Sequence, residues 1–502
     1  MTGPSRPGGP PRRPPRAGAP PSRQAPSQRA RRSDPAREVA YEVLRAVRED
    51  DAYANLVLPG LLRRRGLDTR DAALATELAY GTLRGRGLYD AVLTACTDRP
   101  LDQVDPPVLD ALRMGVHQLL ATRIPAHAAV SQTVALVRAV AGGGPGGFAN
   151  AVLRRVGERD LDDWRTRVVP DAGTDLVAHL AVAHSHPAWI VRSMREALVA
   201  HGRPVQEIDE LLAADNAPPT VTLLARPGLA TVDELVQAAN AEPGRWSPYA
   251  VVLSSGGDPA GLSAVRNGRA RVQDEGSQLV ALALAAAELG GSGSGAGAAS
   301  AGQEHWLDLC AGPGGKAALL AAVAAQRGAF LTAVEISEHR ADLVRSALGR
   351  TPASGATQVR TADGRTVGAE EPGRYDRVLV DAPCTGLGAL RRRPEARWRR
   401  LPSDLASLAP LQRELLDSAL AAVRPGGVVA YATCSPHPAE TVVPIADAQR
   451  RHGNAIELLD APAAIRTAAG RDVPHLGDGP TAQLWPHRHG TDAMFVALLR
   501  RR

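Results

Sequence analysis

Two cysteines and a glycine turn are the residues of this sequence best suited to chemistry, and each lies where an apolar run ends. In Arg377-Val-Leu-Val-Asp-Ala-Pro-Cys384-Thr-Gly the run is followed by an acid, Asp381, and a thiol; in Val428-Val-Ala-Tyr-Ala-Thr-Cys434-Ser-Pro it is followed by a second thiol. A buried free cysteine is commonly only a small hydrophobe. A pair of them, flanked by polar residues and proline at strand ends, reads instead as nucleophilic chemistry, in which a thiolate makes and later releases a covalent bond.

The turn is Asp308-Leu-Cys310-Ala311-Gly312-Pro313-Gly314-Gly315-Lys316, running from a strand into a helix. Gly312, Gly314 and Gly315 let the backbone approach a nucleotide-like cofactor. Glu335, twenty residues past Gly315 and after the next strand, is placed to bond a ribose hydroxyl. A phosphate-binding P-loop is excluded, because Cys310 stands where that loop needs Gly and Ala317 where it needs Ser or Thr. The turn alone leaves a dinucleotide site open. Of the 59 basic residues, 58 are Arg, and the one Lys is Lys316 in this turn, which suggests a task unsuited to a guanidinium fork.

Other chemistry is less well supported. Zinc needs four ligands, yet Cys96, Cys310, Cys384 and Cys434 lack paired spacing and only His437 lies close by, so no metal is expected. His184, His186, His487 and His489 show no convincing partners and read as surface or structural side chains. After Cys384, the segment 390–400 sets six arginines around one Trp. Arg391, Arg392, Arg393 and Arg397 there are candidates for RNA phosphates, and Trp398 for stacking a base.

The scaffold that positions these segments is α/β. From 305 onward, expected strands at 305–310, 330–334, 377–380 and 428–432 alternate with helices at 317–325, 341–348 and 411–423, the rhythm of a Rossmann-like, doubly wound and largely parallel sheet. Ligands bind such sheets at the carboxyl ends of the strands, where all three segments fall. Ahead of it, 34–160 reads as an all-α domain. Asp34 caps a helix with Pro35 first and apolar residues at 36, 39, 40, 43, 44 and 47, and helical spacing continues over 56–62, 72–83, 108–120 and 130–140. A small α/β connector is expected over 161–267, with a helix at 185–214 and strands at 220–224 and 250–253, and the last domain over 268–502. The Gly, Ser and Ala stretch 290–302 is expected to be a flexible loop, and 1–33, with eight arginines and no acid, a disordered basic tail.

A chain of 502 residues accommodates several domains, and no apolar run approaches the roughly 20 residues of a membrane helix, so no membrane partner is expected. Four cysteines without a disulfide pattern indicate a reducing, cytoplasmic setting. The net charge of +6 favours an anionic partner such as nucleic acid. Aromatics are only 3%, which argues against a base-stacking sheet and places base recognition in a pocket.

Taken in order, these motifs resemble the Sun/Nop-type RNA cytosine-5 methyltransferases, and among them the bacterial RsmB-like members. Further marks are Tyr53-Ala-Asn-Leu and Glu77-Leu-Ala-Tyr-Gly-Thr-Leu-Arg84 in a NusB-like helical domain, Asn150-Ala-Val-Leu-Arg-Arg155, and Gln273-Asp-Glu-Gly-Ser-Gln-Leu279. The resemblance implies a C-terminal class I methyltransferase domain that binds S-adenosyl-L-methionine through 310–316, Glu335, Asp363 and Asp381. It also implies Cys434 as nucleophile, Cys384 assisting release of the product, and small-subunit (16S) ribosomal RNA as partner; the protein is expected to be a monomer. Cytosine carbon 5 is too weak a nucleophile to attack a sulfonium methyl, so a thiolate first adds to carbon 6. An acid such as Asp381 is then available to the Watson-Crick edge of an unpaired or flipped base. Two residues depart from the commoner pattern, Gly312 where Ala is usual and Thr441 after Glu440 where Asn is frequent. The rival readings are a NusB-like RNA-binding or antitermination factor with a non-catalytic cofactor domain, and an NAD-dependent oxidoreductase.

Overall fold

The computed structural model describes residue 3 and residues 34–254, 258–290, 303–349 and 356–502. Gly3 and Gly290 aside, the expected basic tail and Gly/Ser/Ala loop lie outside the described residues.

Helices run from Pro35–Glu49 through Ala54–Arg65, Thr69–Cys96, Pro106–Ala121, Ala126–Ala141 and Gly146–Val156. The Asp34 carboxylate accepts from the Arg37 amide at 3.1 Å, and Pro35 fills the first turn, where a missing N–H costs nothing. Leu78, Leu93, Leu112, Met114 and Leu136 are among the side chains that close one apolar core between these helices. Helical structure does not stop at 160. It continues through Leu161–Val168, Leu176–Ala183, Ala188–Ala200 and Ile208–Asn216, so the first half of the expected α/β connector is helical. The helix expected over 185–214 is in fact two, parted at Gly202, whose φ of +70° disfavours other residues, and at Pro204.

The connector's sheet follows, antiparallel and ordered β2-β3-β1-β4, from β1 (Thr222–Ala225), β2 (Ala241–Pro243), β3 (Ala250–Leu253) and β4 (Ala270–Val272). Since β4 pairs with β1, this unit extends past the division expected at 267.

The remaining strands are β5 (His305–Asp308), β6 (Phe330–Glu335), β7 (Thr357–Thr361), β8 (Tyr375–Asp381), β9 (Val423–Thr433), β10 (Ile456–Leu459), β11 (Ala482–Gln483) and β12 (Phe495–Arg501). They form one sheet, β10-β12-β9-β8-β5-β6-β7, with β11 beside β12. The run from β9 to β7 is parallel, as doubly wound folds require, while β10, β11 and β12 are antiparallel. Alternation sends successive side chains to opposite faces. Val428, Ala430 and Ala432 pack with the helices Glu275–Ala286 and Gly315–Gln326, whereas Val429 and Tyr431 pack with Pro402–Ala422. Covered on both faces, the sheet leaves its strand ends as the accessible rim.

Candidate active site

The rim is built from the carboxyl ends of β5, β6, β8 and β9. Beyond β5, the Leu309 amide donates to the Leu379 carbonyl and the Ala311 amide to the Val334 carbonyl, each at 2.9 Å, so the chain is tied to both neighbouring strands as it turns. At Gly314 φ is +94°, and a Cβ would lie 2.5 Å from that of Ala347; only glycine permits this approach. A Cβ on Gly312 would stand 2.3 Å from Glu335 Oε2. The departure at that position therefore leaves room for the Glu335 carboxylate to close over the turn.

Glu335, buried at the end of β6, accepts from the Gly312 amide and the Ser337 amide, both at 3.1 Å, and meets Arg340 at 3.2 Å. One amide on each oxygen fixes the carboxylate and leaves lone pairs for hydroxyl donors. Asp308, 1% exposed, has both carboxyl oxygens buried without a well-formed hydrogen bond; burial and then the Asp381 charge push its pKa up to about 7. Asp363 caps the helix Gly364–Glu370, accepting from the Arg365 amide at 3.0 Å, and the Arg365 side chain lowers its pKa. A glycine cradle edged by carboxylates from successive strands fits S-adenosyl-L-methionine, which presents a ribose diol and an ammonium.

Lys316 reaches from the turn to the end of β8, with Nζ 2.8 Å from Asp381 Oδ2. Burial disfavours its ammonium, yet Asp381 outweighs that and holds the pKa above its ordinary value. Asp381 is thus a carboxylate with one oxygen spent on Lys316, an acceptor in this pairing.

Cys384 and Cys434, from the adjacent parallel strands β8 and β9, meet with their Sγ atoms 3.4 Å apart. The pair is asymmetric. The hydrogen bond with the Cys384 sulfur, aided by Lys316 and Arg393 and opposed by burial and Asp381, lowers the pKa of Cys434. The same hydrogen bond, burial and Glu440 raise that of Cys384 well above the usual range. Cys434 is therefore the sulfur readier to ionise, a distinction that spacing alone did not contain. Cys310, packed beside Leu309 and Val334, is raised by burial and serves as a small hydrophobe.

Several buried partners were not recognised in the sequence. Glu440, 1% exposed, accepts from the Thr385 amide at 2.7 Å and from the Thr385 hydroxyl. Gln412 donates to the Pro383 carbonyl at 2.9 Å. Asp274 and Asp492 meet Arg391 at 2.8 and 2.9 Å and Arg392 at 2.6 and 3.0 Å. The only local signal was an acid soon after each motif, as in Pro438-Ala-Glu440.

That last network corrects the expected RNA contacts. Arg391 and Arg392 are spent on buried acids. Arg397, fully buried, donates to Asn216 Oδ1 at 2.7 Å and to the Asp215 carbonyl at 2.8 Å. Trp398 is covered by Arg86, 5.1 Å from its ring, and lies against Gly87. A run of arginines looked solvent-facing because its partners lie far away in sequence. Arg393 alone of the five candidates is exposed, over the Tyr53 ring at 4.8 Å. The four histidines also have partners: His184 meets Asp209 at 2.9 Å, His186 the His184 carbonyl at 2.7 Å, His487 Glu207 at 2.8 Å, and His489 accepts from the Trp485 amide at 2.8 Å.

Among the described residues no cluster of three or more His, Cys, Asp or Glu is arranged to hold a metal, and no helix is long and apolar enough to cross a membrane.

The chain is similar to known methyltransferases. The family model described as 16S rRNA methyltransferase RsmB/F matches residues 299–500, and that of the NusB family matches residues 34–158. The chain is 54% identical over 473 residues to a provisionally named methyltransferase of Mycobacterium tuberculosis (strain H37Rv), covering 94% of this chain and 98% of that protein. It is 31% identical over 470 residues to the ribosomal RNA small subunit methyltransferase B of Pseudomonas putida (strain KT2440), covering 92% of this chain and 98% of that protein. The crystal structure of PH0851 shares the fold, with a TM-score of 0.73 at 21% identity over 93% of this chain and 99% of that one.

Proposed function

Since the chain belongs to the RsmB/F family of 16S rRNA methyltransferases and carries a NusB-family helical domain at its N-terminal side, we propose that it methylates carbon 5 of a cytosine in 16S ribosomal RNA through a covalent bond between Cys434 and the base. The observation that carries this reading is the 3.4 Å approach of two unlike thiols beside the Lys316–Asp381 pair.

S-adenosyl-L-methionine, when bound, supplies an electrophilic methyl group. Glu335, Asp308, Asp363 and the turn 310–316 hold and orient it, with glycine backbone in place of side chains that would collide. The Cys434 thiolate adds to carbon 6 of the cytosine; the Sγ–C6 bond forms, and the ring electrons move to carbon 5, which would then take the methyl group as the donor's S–CH3 bond breaks and its electrons stay on sulfur as a neutral thioether. Asp381, paired with Lys316, accepts from the polar edge of the base. Water then takes the carbon 5 proton, the C5–H bonding electrons restore the C5–C6 double bond, and the Sγ–C6 bond breaks with its electrons returning to Cys434 as a thiolate. Cys384, in contact with Cys434, assists that release. Splitting the reaction into addition and elimination replaces one difficult step by easier ones. The base enters the pocket from single-stranded or locally opened RNA.

In this reading the NusB-family domain and Arg393 contact the RNA, the protein acts as a cytoplasmic monomer, and the helices through Asn216 work with the N-terminal domain. Incubating the protein with labelled S-adenosyl-L-methionine and 16S RNA tests it. Mass spectrometry of the digested nucleosides is expected to show 5-methylcytidine; label in any other nucleoside contradicts the assignment.

A further inference from the structure

We propose that Glu440 is a positioning residue that holds the two thiols at reacting distance and gives them unlike roles, an inference that rests on the function proposed above. The carboxylate is buried against the loop that carries Cys384. It accepts from both the amide and the hydroxyl of Thr385, the next residue. Gln412 Nε2 lies 2.9 Å from the Pro383 carbonyl, on the other side of Cys384, and 3.3 Å from Glu440 Oε1. Cys384 is thus pinned through both neighbours to one carboxylate.

The backbone of the same residue and its Thr385 partner also reach the segment that carries the other thiol. The Tyr431 hydroxyl donates to the Glu440 carbonyl at 3.1 Å from β9, three residues before Cys434. The Thr385 hydroxyl lies 3.4 Å from Ser435 Oγ, one residue after it. The Gly388 amide donates to the Cys434 carbonyl at 2.8 Å. Two loops from different strands are therefore locked across the sulfur pair, and Glu440 is the charged centre of the lock.

Position also sets charge. The hydrogen bond between the two cysteines is the largest influence on each, and what else they face adds to it. Cys434 faces Lys316 and Arg393, which favour its thiolate, and Asp381, which opposes it. The hydrogen bond with Cys434, burial and the Cys434 charge disfavour a Cys384 anion, and the negative charge of Glu440 adds to them. Tyr431 and His437, the other titratable groups near Glu440, carry no positive charge that offsets it, since burial raises the Tyr431 pKa and lowers that of His437. The carboxylate thereby adds to what keeps the proton on Cys384 and, through Thr385, holds that thiol beside Cys434.

Glu440→Gln keeps an acceptor for the Thr385 amide and removes the charge, so it separates geometry from electrostatics. The full-length protein, without RNA, is alkylated with iodoacetamide from pH 6 to 9 and both cysteines are followed by peptide mass spectrometry. In the wild type Cys434 is expected to react at least tenfold faster than Cys384, and in Glu440→Gln that preference shrinks about tenfold as Cys384 ionises more readily. With RNA, kcat falls at least tenfold while KM for the methyl donor is unchanged, and Glu440→Asp recovers part of kcat. If Glu440→Gln fails to fold, Thr385→Val, which removes one tie and keeps the shape, is expected to narrow the preference in the same direction. An unaltered alkylation preference in both variants overturns the proposal. The alkylation requires no RNA, so failure of methyl transfer by the wild type would refute the function and leave this role separately testable.

Discussion

Lys316 Nζ stands 2.8 Å from Asp381 Oδ2, so the single lysine of the chain joins the cofactor turn to the strand that leads to Cys384. A compact ammonium on a flexible stem fits this partly enclosed position, where a planar guanidinium needs more room. Its charge also favours the Cys434 thiolate.

Lys316→Met removes that charge, so the Cys434 pKa rises and the acidic limb of the pH–rate profile moves to higher pH. Methyl transfer at pH 7 is expected to fall by roughly tenfold or more, a tenfold loss corresponding to about 1.4 kcal/mol. Lys316→Arg restores the charge and not the fit, and recovers the position of the limb more than the rate. Steady-state kinetics across pH measures both.

Arg391 has a structural role in a four-charge buried network. Arg391→Ala leaves Asp274 and Asp492 short of a partner and is expected to destabilise the fold by about 3–5 kcal/mol in denaturant unfolding. RNA affinity of the still-folded protein stays within twofold of wild type by filter binding. A stable variant with weakened RNA binding would reinstate Arg391 as a phosphate contact.

Asp308 predicts a trend in stability with pH. Its folded pKa of about 7 lies above that of the unfolded chain, near 4, so its contribution is complete below about pH 4 and is lost as pH rises through 7. Asp308→Asn, which has no proton to lose, is expected to melt at a higher temperature relative to wild type at pH 8 than at pH 4. Asp215, also raised to about 7 by burial, is present in both proteins, so the difference between them isolates Asp308. Equal differences at the two pH values would remove Asp308 from the buried acids.

How much of this was legible follows from how each signal is encoded. Asp308, Glu335, Asp381, Cys384 and Cys434 each follow an apolar run, and a parallel sheet turns that one-dimensional feature into a common rim. The long-range pairs were not legible. Glu440 and Thr385 lie 55 residues apart, and Arg391 and Asp274 117, and no local pattern encodes such pairing. Arginine density looked like solvent exposure for the same reason. β7 reads Thr-Gln-Val-Arg-Thr, with one apolar residue to mark it. The apolar run of β12 carries no record of its antiparallel direction, which only pairing with β9 fixes. The roles of the two cysteines came from resemblance, and the asymmetry of their surroundings supports the same order.

The most direct test of the central claim, a covalent bond from Cys434 to the cytosine, is denaturing electrophoresis of protein incubated with labelled 16S RNA and S-adenosyl-L-methionine. Cys384→Ala is expected to accumulate a protein–RNA adduct that survives denaturation, because attack proceeds and release does not, whereas Cys434→Ala and the double variant give none and transfer no methyl group. An adduct formed by Cys434→Ala, or methyl transfer by it at the wild-type rate, would contradict the account.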